Sequence, residues 1–515
     1  MRRLTLPLAL CVSLALFGCG SSTDRARQTQ LLRVALFDNP TNLDPRTYSD
    51  VVSYKVIEQV FDFLVRPDST GVPQPELADH WETPSDTVYI FYLRKGVRFH
   101  DGTPLSAYDV AFTFRSMLDP ALKAPLRKSL EVIKAITVLD SFRVEFSLSH
   151  PHAPFLSNLE VGIVPAHLAG SDPEAFKQHP VGSGPFQFVR WDPDAQVVLK
   201  RNPRYWRGRP LLDGIQMKII PEATTRVLAL ENGEVDFLMN NFPERYLPRL
   251  RANPRLKVLA HTGSNYVYIG LNLRNRYLKH LAVRQALAYA INVPEMIASL
   301  TAGLHTPATS LLYPGNWAHN PNLKPYPYDP ERARALLDEA GFPDPDGNGP
   351  AMRFTLTYKC TDKLQSRQKA QVIQQYLARV GIGVKIQSYE WGTFFDDVQH
   401  GRFDLYSLTW VGVYEPDIYY RLFHSSSIGS GANRGGYRNP QVDRLLEQAQ
   451  RTLNLAKRKA LYWKVQEILH HDLPYISLWY ETNVAVMDRR LTGFQLYPAG
   501  EWKSFWKVHF LQPAE

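Results

Sequence analysis

LADHWETPSDTVYIFYLRKGVRFHDGTPLSAYDVAFTF, residues 77–114, is the stretch from which the fold of this chain is read. Val88, Ile90, Tyr92 and the residues between them are β-branched and aromatic, the composition of a buried strand. Asp101-Gly102 signals a turn, and Ser106 is placed to cap a helix beginning near Ala107. The stretch predicts a strand–turn–helix unit of an α/β protein.

The same alternation continues outward. Phe142, Val144, Phe146 and Leu148 alternate as a strand does, and 196–200 and 215–220 read as two more. Residues 225–232 read as a helix closed by Gly233 at C′, followed by a strand at 235–238. Residues 282–291 form an amphipathic helix. In the helix predicted over 330–340, Asp329 caps, Pro330 sits at N1, Glu331 suits the dipole and Gly341 terminates. A helix over 367–380 precedes a strand at 384–388, and 403–410 is a strand. Helices over 442–452 and 455–470 lead into a strand at 474–486. Helix–strand alternation of this kind favours α/β lobes with parallel or mixed sheets.

Composition bounds the compartment. Hydrophobic content of 44% and charged content of 21% describe a globular chain large enough for two or three cores. Arg2 and Arg3 precede an apolar run, 4–17, too short for a stable membrane span, and Gly18 supplies a small residue for cleavage. Residues 16–19, Leu-Phe-Gly-Cys, look like a bacterial lipobox with Cys19 as the acylated residue. Residues 19–30 are polar and form a tether of at most about 35 Å. Cys11 leaves with the signal, Cys19 takes the lipid, and Cys360 remains, so a disulfide framework and a thiol metal cluster are both excluded. The formal charge of +9 falls to +7 without Arg2 and Arg3. Basic residues bunch at Arg201, Arg204, Arg207 and Arg209, and again at Arg245, Arg249, Arg251, Arg255 and Lys257. Export argues against nucleic acid as their partner and favours a solvated face toward anionic lipid or cell-wall polymer.

Catalytic and metal motifs dissolve on inspection. Ser366 and Lys369 match S-x-x-K, yet the accompanying S-D-N and K-T-G elements and any G-x-S-x-G elbow are missing. Residues 344–349, Asp-Pro-Asp-Gly-Asn-Gly, begin like a calcium loop, but Thr355 stands at the twelfth position in place of a bidentate Glu. His150/His152 and His470/His471 lack metal-ligand spacing. Gly381-Ile-Gly383 follows a helix and lacks a third glycine. No cofactor and no metal site is expected.

Residues 77–114 resemble the signature region of the family 5 extracellular solute-binding proteins, the dipeptide, oligopeptide and nickel receptors of ABC importers. PVGSGPF (180–186), RNPRYWRGRPLLDGI (201–215), ENGEVD (231–236), VRQALAYAIN (283–292) and DPERARALLDEAGF (329–342) follow in the family's order. The resemblance covers essentially the whole mature chain. It implies an α/β, two-lobed periplasmic-binding-protein fold of the cluster C kind, with a family-specific extra domain and a hinged cleft. Lobe one is expected to combine 31–56, 186–265 and 482–515, the insertion to cover 57–185, and lobe two 266–481.

The resemblance implies a monomeric, non-enzymatic receptor that is anchored outside the cytoplasm of a bacterium by its lipid. It would bind a peptide between the lobes by strand-like backbone bonding and deliver it to a membrane permease driven by cytoplasmic ATPases. Ligand contacts are expected from Asn39, Thr41 and Asn42 in lobe one, and from Lys359, Thr409, Trp410, Val413, Tyr414, Glu415 and Asp417 in lobe two. Many peptide receptors carry, at the position of Val413, an Asp that pairs with the ligand's α-ammonium. Glu415 or Asp417 is positioned to replace it after a local shift; alternatively, Glu415-Pro416-Asp417 caps the following helix. The lysines of 358–363 offer a point charge where dipeptide receptors use an Arg fork. A metal chelate, an opine or an oligosaccharide is the alternative ligand. A cell-wall peptide hydrolase lipoprotein and a sensor feeding a membrane kinase are the alternatives from other classes.

Overall fold

The computed structural model describes residues 30–347, 349–429 and 431–511. The signal segment, Cys19 and all of the tether but Gln30 lie outside the described residues. In the opening stretch, Val88–Leu93 is a strand and Ala107–Leu118 a helix. The Ser106 N–H and O–H both donate to the Asp109 carboxylate at 2.9 Å, closing the helix start. The strand is buried on one face only: Tyr89, Phe91 and Leu93 point inward, while Val88, Ile90 and Tyr92 are half-buried. Its sheet has one packed side. The four antiparallel strands Ala78–Ser85, Val88–Leu93, Arg143–Leu148 and Ile133–Asp140 lie against Val110, Phe114 and Met117 of the helix. Phe91 and Phe114 each meet Phe146 edge-on, at 5.5 and 5.4 Å, the arrangement the ring quadrupoles favour.

A second, mixed sheet of eleven strands, counted among the described residues, runs through the rest of the molecule. Two of its strands are unusually long. Leu256–Leu271 and Tyr475–Asp488 have 16 and 14 residues and pair antiparallel along nearly their whole length. On one side of their midpoint, Val484 and Val486 pack with Val227 and Leu230, while Ala485 and Met487 face Val34 and Ile215. Beyond the midpoint, Val267 and Ile269 pack with Leu287 and Ile373. The alternate residues Tyr266 and Tyr268 enter an aromatic core with Tyr406, Tyr419 and Tyr462. The protein is therefore two-lobed, and both lobes share these strands.

The junction is a bulge. Thr262 pairs with Thr482 and the ladder resumes at Tyr266 with Tyr480, so Gly263, Ser264 and Asn265 oppose Glu481 alone. Such an insertion bends the strand and re-aims a side chain. Gly263 is dictated by space: a Cβ there would lie 2.7 Å from the Glu481 carbonyl oxygen.

Local signals match the helices closely. Asp329 accepts the Arg332 N–H at 2.9 Å at the head of Pro330–Glu339, and Gly233 ends Ala223–Asn232 with φ of 76°. The helix expected from 367 begins earlier, at Leu364, because its N-cap Lys363 offers no side-chain cap to read.

The Asp62 carboxylate accepts from Ser183 Oγ at 2.8 Å, Tyr205 Oη at 2.9 Å and Trp206 Nε1 at 3.0 Å. Burial, and then the charge of Glu76, push Asp62 up to about 6. Its folded pKa lies above the unfolded one, so ionisation costs stability as pH rises through this range, and the cost is absent below about pH 4. Asp62→Ala leaves three donors without their acceptor and should lower stability by about 3 kcal/mol. In urea denaturation the loss should be larger at pH 5 than at pH 7.5, where wild type already bears the ionisation cost.

Candidate functional site

The bulged crossing places a set of polar groups between the lobes. Asn265 Nδ2 donates to Glu481 Oε2 at 2.9 Å, and its Oδ1 accepts the Gly412 N–H at 3.0 Å. Ser264 donates its N–H to the Pro498 carbonyl and accepts the Val413 N–H. Asn483 Nδ2 donates to the Pro498 carbonyl at 2.7 Å, and Asn240 Nδ2 donates to Asn483 Oδ1 at 2.9 Å. Asn240 and Asn241 are both left-handed, at φ 54° and 51°. Few side chains accept that backbone, and Asn is among the exceptions. The Tyr414 hydroxyl lies 2.9 and 3.1 Å from the two Glu501 carboxylate oxygens and accepts the Ala499 N–H, tying lobe two to the C-terminal part of lobe one.

These groups edge a cavity of about 620 Å³. Phe37, Lys55, Arg226 and Trp502 wall it on one side, and His305, Gln365 and Val411 on the other. Asn265, Glu481 and Thr482 form its floor at the crossing strands. The volume lies within the 300–1,000 Å³ or so typical of ligand pockets. Burial pulls the His305 imidazole down to about 4, with the charge of Lys369 adding to it, so the ring is neutral and its Nδ1 accepts the Thr482 N–H at 3.2 Å. Burial likewise pulls the Lys369 ammonium down to about 8, against the opposing charge of Glu481.

A two-lobed fold with a cavity at its crossing strands has relatives among known proteins. Residues 72–431 match the family described as bacterial extracellular solute-binding proteins, family 5 middle. This chain belongs to that family. Heme-binding protein A of Haemophilus influenzae is 30% identical, the match covering 96% of this chain and 97% of that protein. Di/tripeptide-binding protein 2 of Pseudomonas aeruginosa is also 30% identical, over 95% and 97% of the two chains. The periplasmic binding protein DppA of Helicobacter pylori, solved with the peptide STSA, superposes with a TM-score of 0.75 at 30% identity, covering 93% of this chain and 98% of that one.

Family 5 proteins are extracytoplasmic transport receptors and not enzymes. Among the described residues no helix is long and apolar enough to cross a membrane, and no group of three or more His, Cys, Asp or Glu is arranged to hold a metal.

The residues singled out in the sequence lie around this cavity more than in it. Asn39 Nδ2 donates to Asp194 at 2.6 Å, tying its loop to a distant turn, while Thr41 Oγ1 donates to Asp50 at 2.5 Å and Asn42 Nδ2 to Thr47 at 2.7 Å within their own segment. Lys359 is committed to Asp397 at 2.5 Å and lies over the Tyr389 ring. Thr409 pairs with Val267 in the ladder. The half-buried Trp410 stacks parallel to Tyr268 at 6.2 Å between Arg421 and Arg434, and its indole N–H has no partner among the described residues. Val411, beside it, is the residue that lines the cavity. Val413 is buried in the aromatic core.

Glu415 and Asp417 are engaged elsewhere. Glu415 accepts from Ser157 Oγ of the insertion at 2.7 Å and forms an ion pair with Arg458. Asp417 occupies the N-cap position of Ile418–Phe423, yet its carboxylate accepts from Gln450 Nε2 and does not cap. The cap-like contact is made by Glu415, which accepts the Asp417 N–H at 3.1 Å. Burial, and then the charge of Glu415, push Asp417 up to about 6.

Sequence reading missed His305, Gln365, Glu481 and Asn265. The last two carry no motif and are aimed by the bulge alone. Arg458→Met leaves the half-buried Glu415 without its cation and should cost about 3 kcal/mol. A lowered urea midpoint, with the slope unchanged, is the expected result.

Proposed function

We propose that this solute-binding protein takes a peptide into the interlobe cavity and is the receptor subunit of an ABC importer. The observation that carries the reading is the cavity itself. It is walled by both lobes at the strands they share, in a family of extracellular solute receptors that includes a relative solved with a peptide. A ligand touching both walls favours the closed arrangement because only there does it contact both at once. Edge backbone groups and mixed polar and apolar walls suit an extended main chain with varied side chains.

We divide the chain as lobe one at 31–56, 186–265 and 482–515, an insertion at 57–185 and lobe two at 266–481. The bulge opposite Glu481 supports hinge points at 265/266 and 481/482. Cleavage before Cys19 and its acylation would hold the receptor at the membrane through the 19–30 tether, since each buried CH₂ adds about 0.8 kcal/mol. The receptor works as a monomer and hands its peptide to permease subunits driven by cytoplasmic ATPases.

Mass spectrometry of ligand released from denatured, natively purified protein should yield peptides. Recovery of a tetrapyrrole, a sugar or a metal complex without peptide would overturn the reading. Cys19→Ala should move the exported protein from the membrane fraction to the soluble one, and unchanged partitioning would remove the lipid anchor from the account.

A further inference from the structure

Among the described residues, two basic and two acidic side chains line the cavity beside His305: Lys55, Arg226, Glu244 and Glu481. The two cations are committed to the protein. Lys55 donates to the Gly500 carbonyl and lies 3.6 Å from Glu58. Arg226 donates to the carbonyls of Ile220 and Pro221, at 2.6 and 2.7 Å, and of Asn241. Neither carboxylate forms an ion pair with a described residue. The cavity therefore holds two carboxylates without a direct ion-pair partner among the described residues, an arrangement that suits a cation.

Glu481 is the better placed of the two acids. It stands at the bulge, opposite three residues of the partner strand, and lines the cavity. Asn265 fixes one of its oxygens at 2.9 Å, and the same amide accepts from Gly412, beside Val413. The carboxylate is thus two hydrogen bonds from the segment where the peptide receptors' acid is expected. Val413 is 2% exposed and apolar, while Glu415 and Asp417 are held by Arg458 and Gln450. Lys369 stands a helical turn beyond cavity-lining Gln365, with its ammonium 5.8 Å from the Trp479 ring, and forms no ion pair with Glu481.

Resting on the peptide reading above, we propose that Glu481 receives an ammonium group of the ligand, the role left open by Val413. A desolvated ammonium needs a charged acceptor, and an ion-assisted hydrogen bond is about twice as strong as a neutral one. The ammonium comes from the peptide's amino terminus or from a lysine side chain.

The test uses three pentapeptide libraries: one free of Lys and Arg with a free amino terminus, its N-acetylated counterpart, and an N-acetylated set with Lys at the third position. Wild type and Glu481→Gln are each incubated with them, gel-filtered, and the retained peptides quantified by mass spectrometry. Gln keeps an acceptor for Asn265, and the melting temperature of each free protein controls for folding; Glu481→Asp serves as a second variant if the Gln protein is unstable. Wild type should retain the free-amine library at least tenfold better than Glu481→Gln, with the acetylated Lys-free library retained weakly by both. Loss confined to the Lys-bearing set would support the same role with a side chain as the ammonium source. Equal retention by variant and wild type, or full retention of the acetylated Lys-free library, would overturn the role of Glu481 and leave the peptide reading standing. Retention of no library by wild type would overturn both.

Discussion

The antiparallel pairing of Leu256–Leu271 with Tyr475–Asp488 is the constraint on which the rest of the molecule depends. Each strand serves two cores, so neither lobe has an independent sheet. Shared strands transmit position well and bending poorly. The Gly263–Asn265 bulge supplies the local irregularity, and Gly263 permits the close approach it requires. Side-chain amides bond backbone groups around the bulge: Asn265 accepts the Gly412 N–H, Asn240 accepts the Val484 N–H and Asn483 donates to the Pro498 carbonyl, since an amide donates and accepts at once.

A second tier of interactions fixes the four-stranded sheet and its surroundings. Ser157 meets Glu415, and the Ala153 N–H meets the Gln450 carbonyl. The Asp62 carboxylate gathers Ser183, Tyr205 and Trp206. Glu415 is more valuable to this anchorage than to a ligand, because its cation Arg458 is itself buried and loses its counter-charge if Glu415 turns away.

What the sequence made legible was local. Caps at Asp329 and Ser106, the αL glycine at 233 and the alternation at 142–148 each report their element within a few residues. The family pattern made the lobed architecture legible as well. The longest strand was not visible, because LKVLAHTGSNYVYIGL changes its inward face at the bulge and so has no single period. The cavity wall was obscured for the same reason. Glu481 lies inside an apolar run that reads as plain strand, and only the extra residues in its distant partner turn it toward the cavity. Trp410 shows the converse: its identity stood out, but strand parity sends the ring into the aromatic core and leaves Val411 at the surface.

The position of Tyr475–Asp488 also governs how the chain is made. It lies at the middle of the large sheet, between Leu256–Leu271 and Phe237–Met239, yet in chain order it follows every other strand of that sheet. A chain leaving a secretion channel from its amino terminus can assemble the insertion early, but it lacks the central strand of both lobes until residue 488 has emerged. Until then the flanking strands present open edges, a state prone to mispairing. The geometry that couples the two lobes in the finished receptor thus makes completion of the large sheet a late step in chain order.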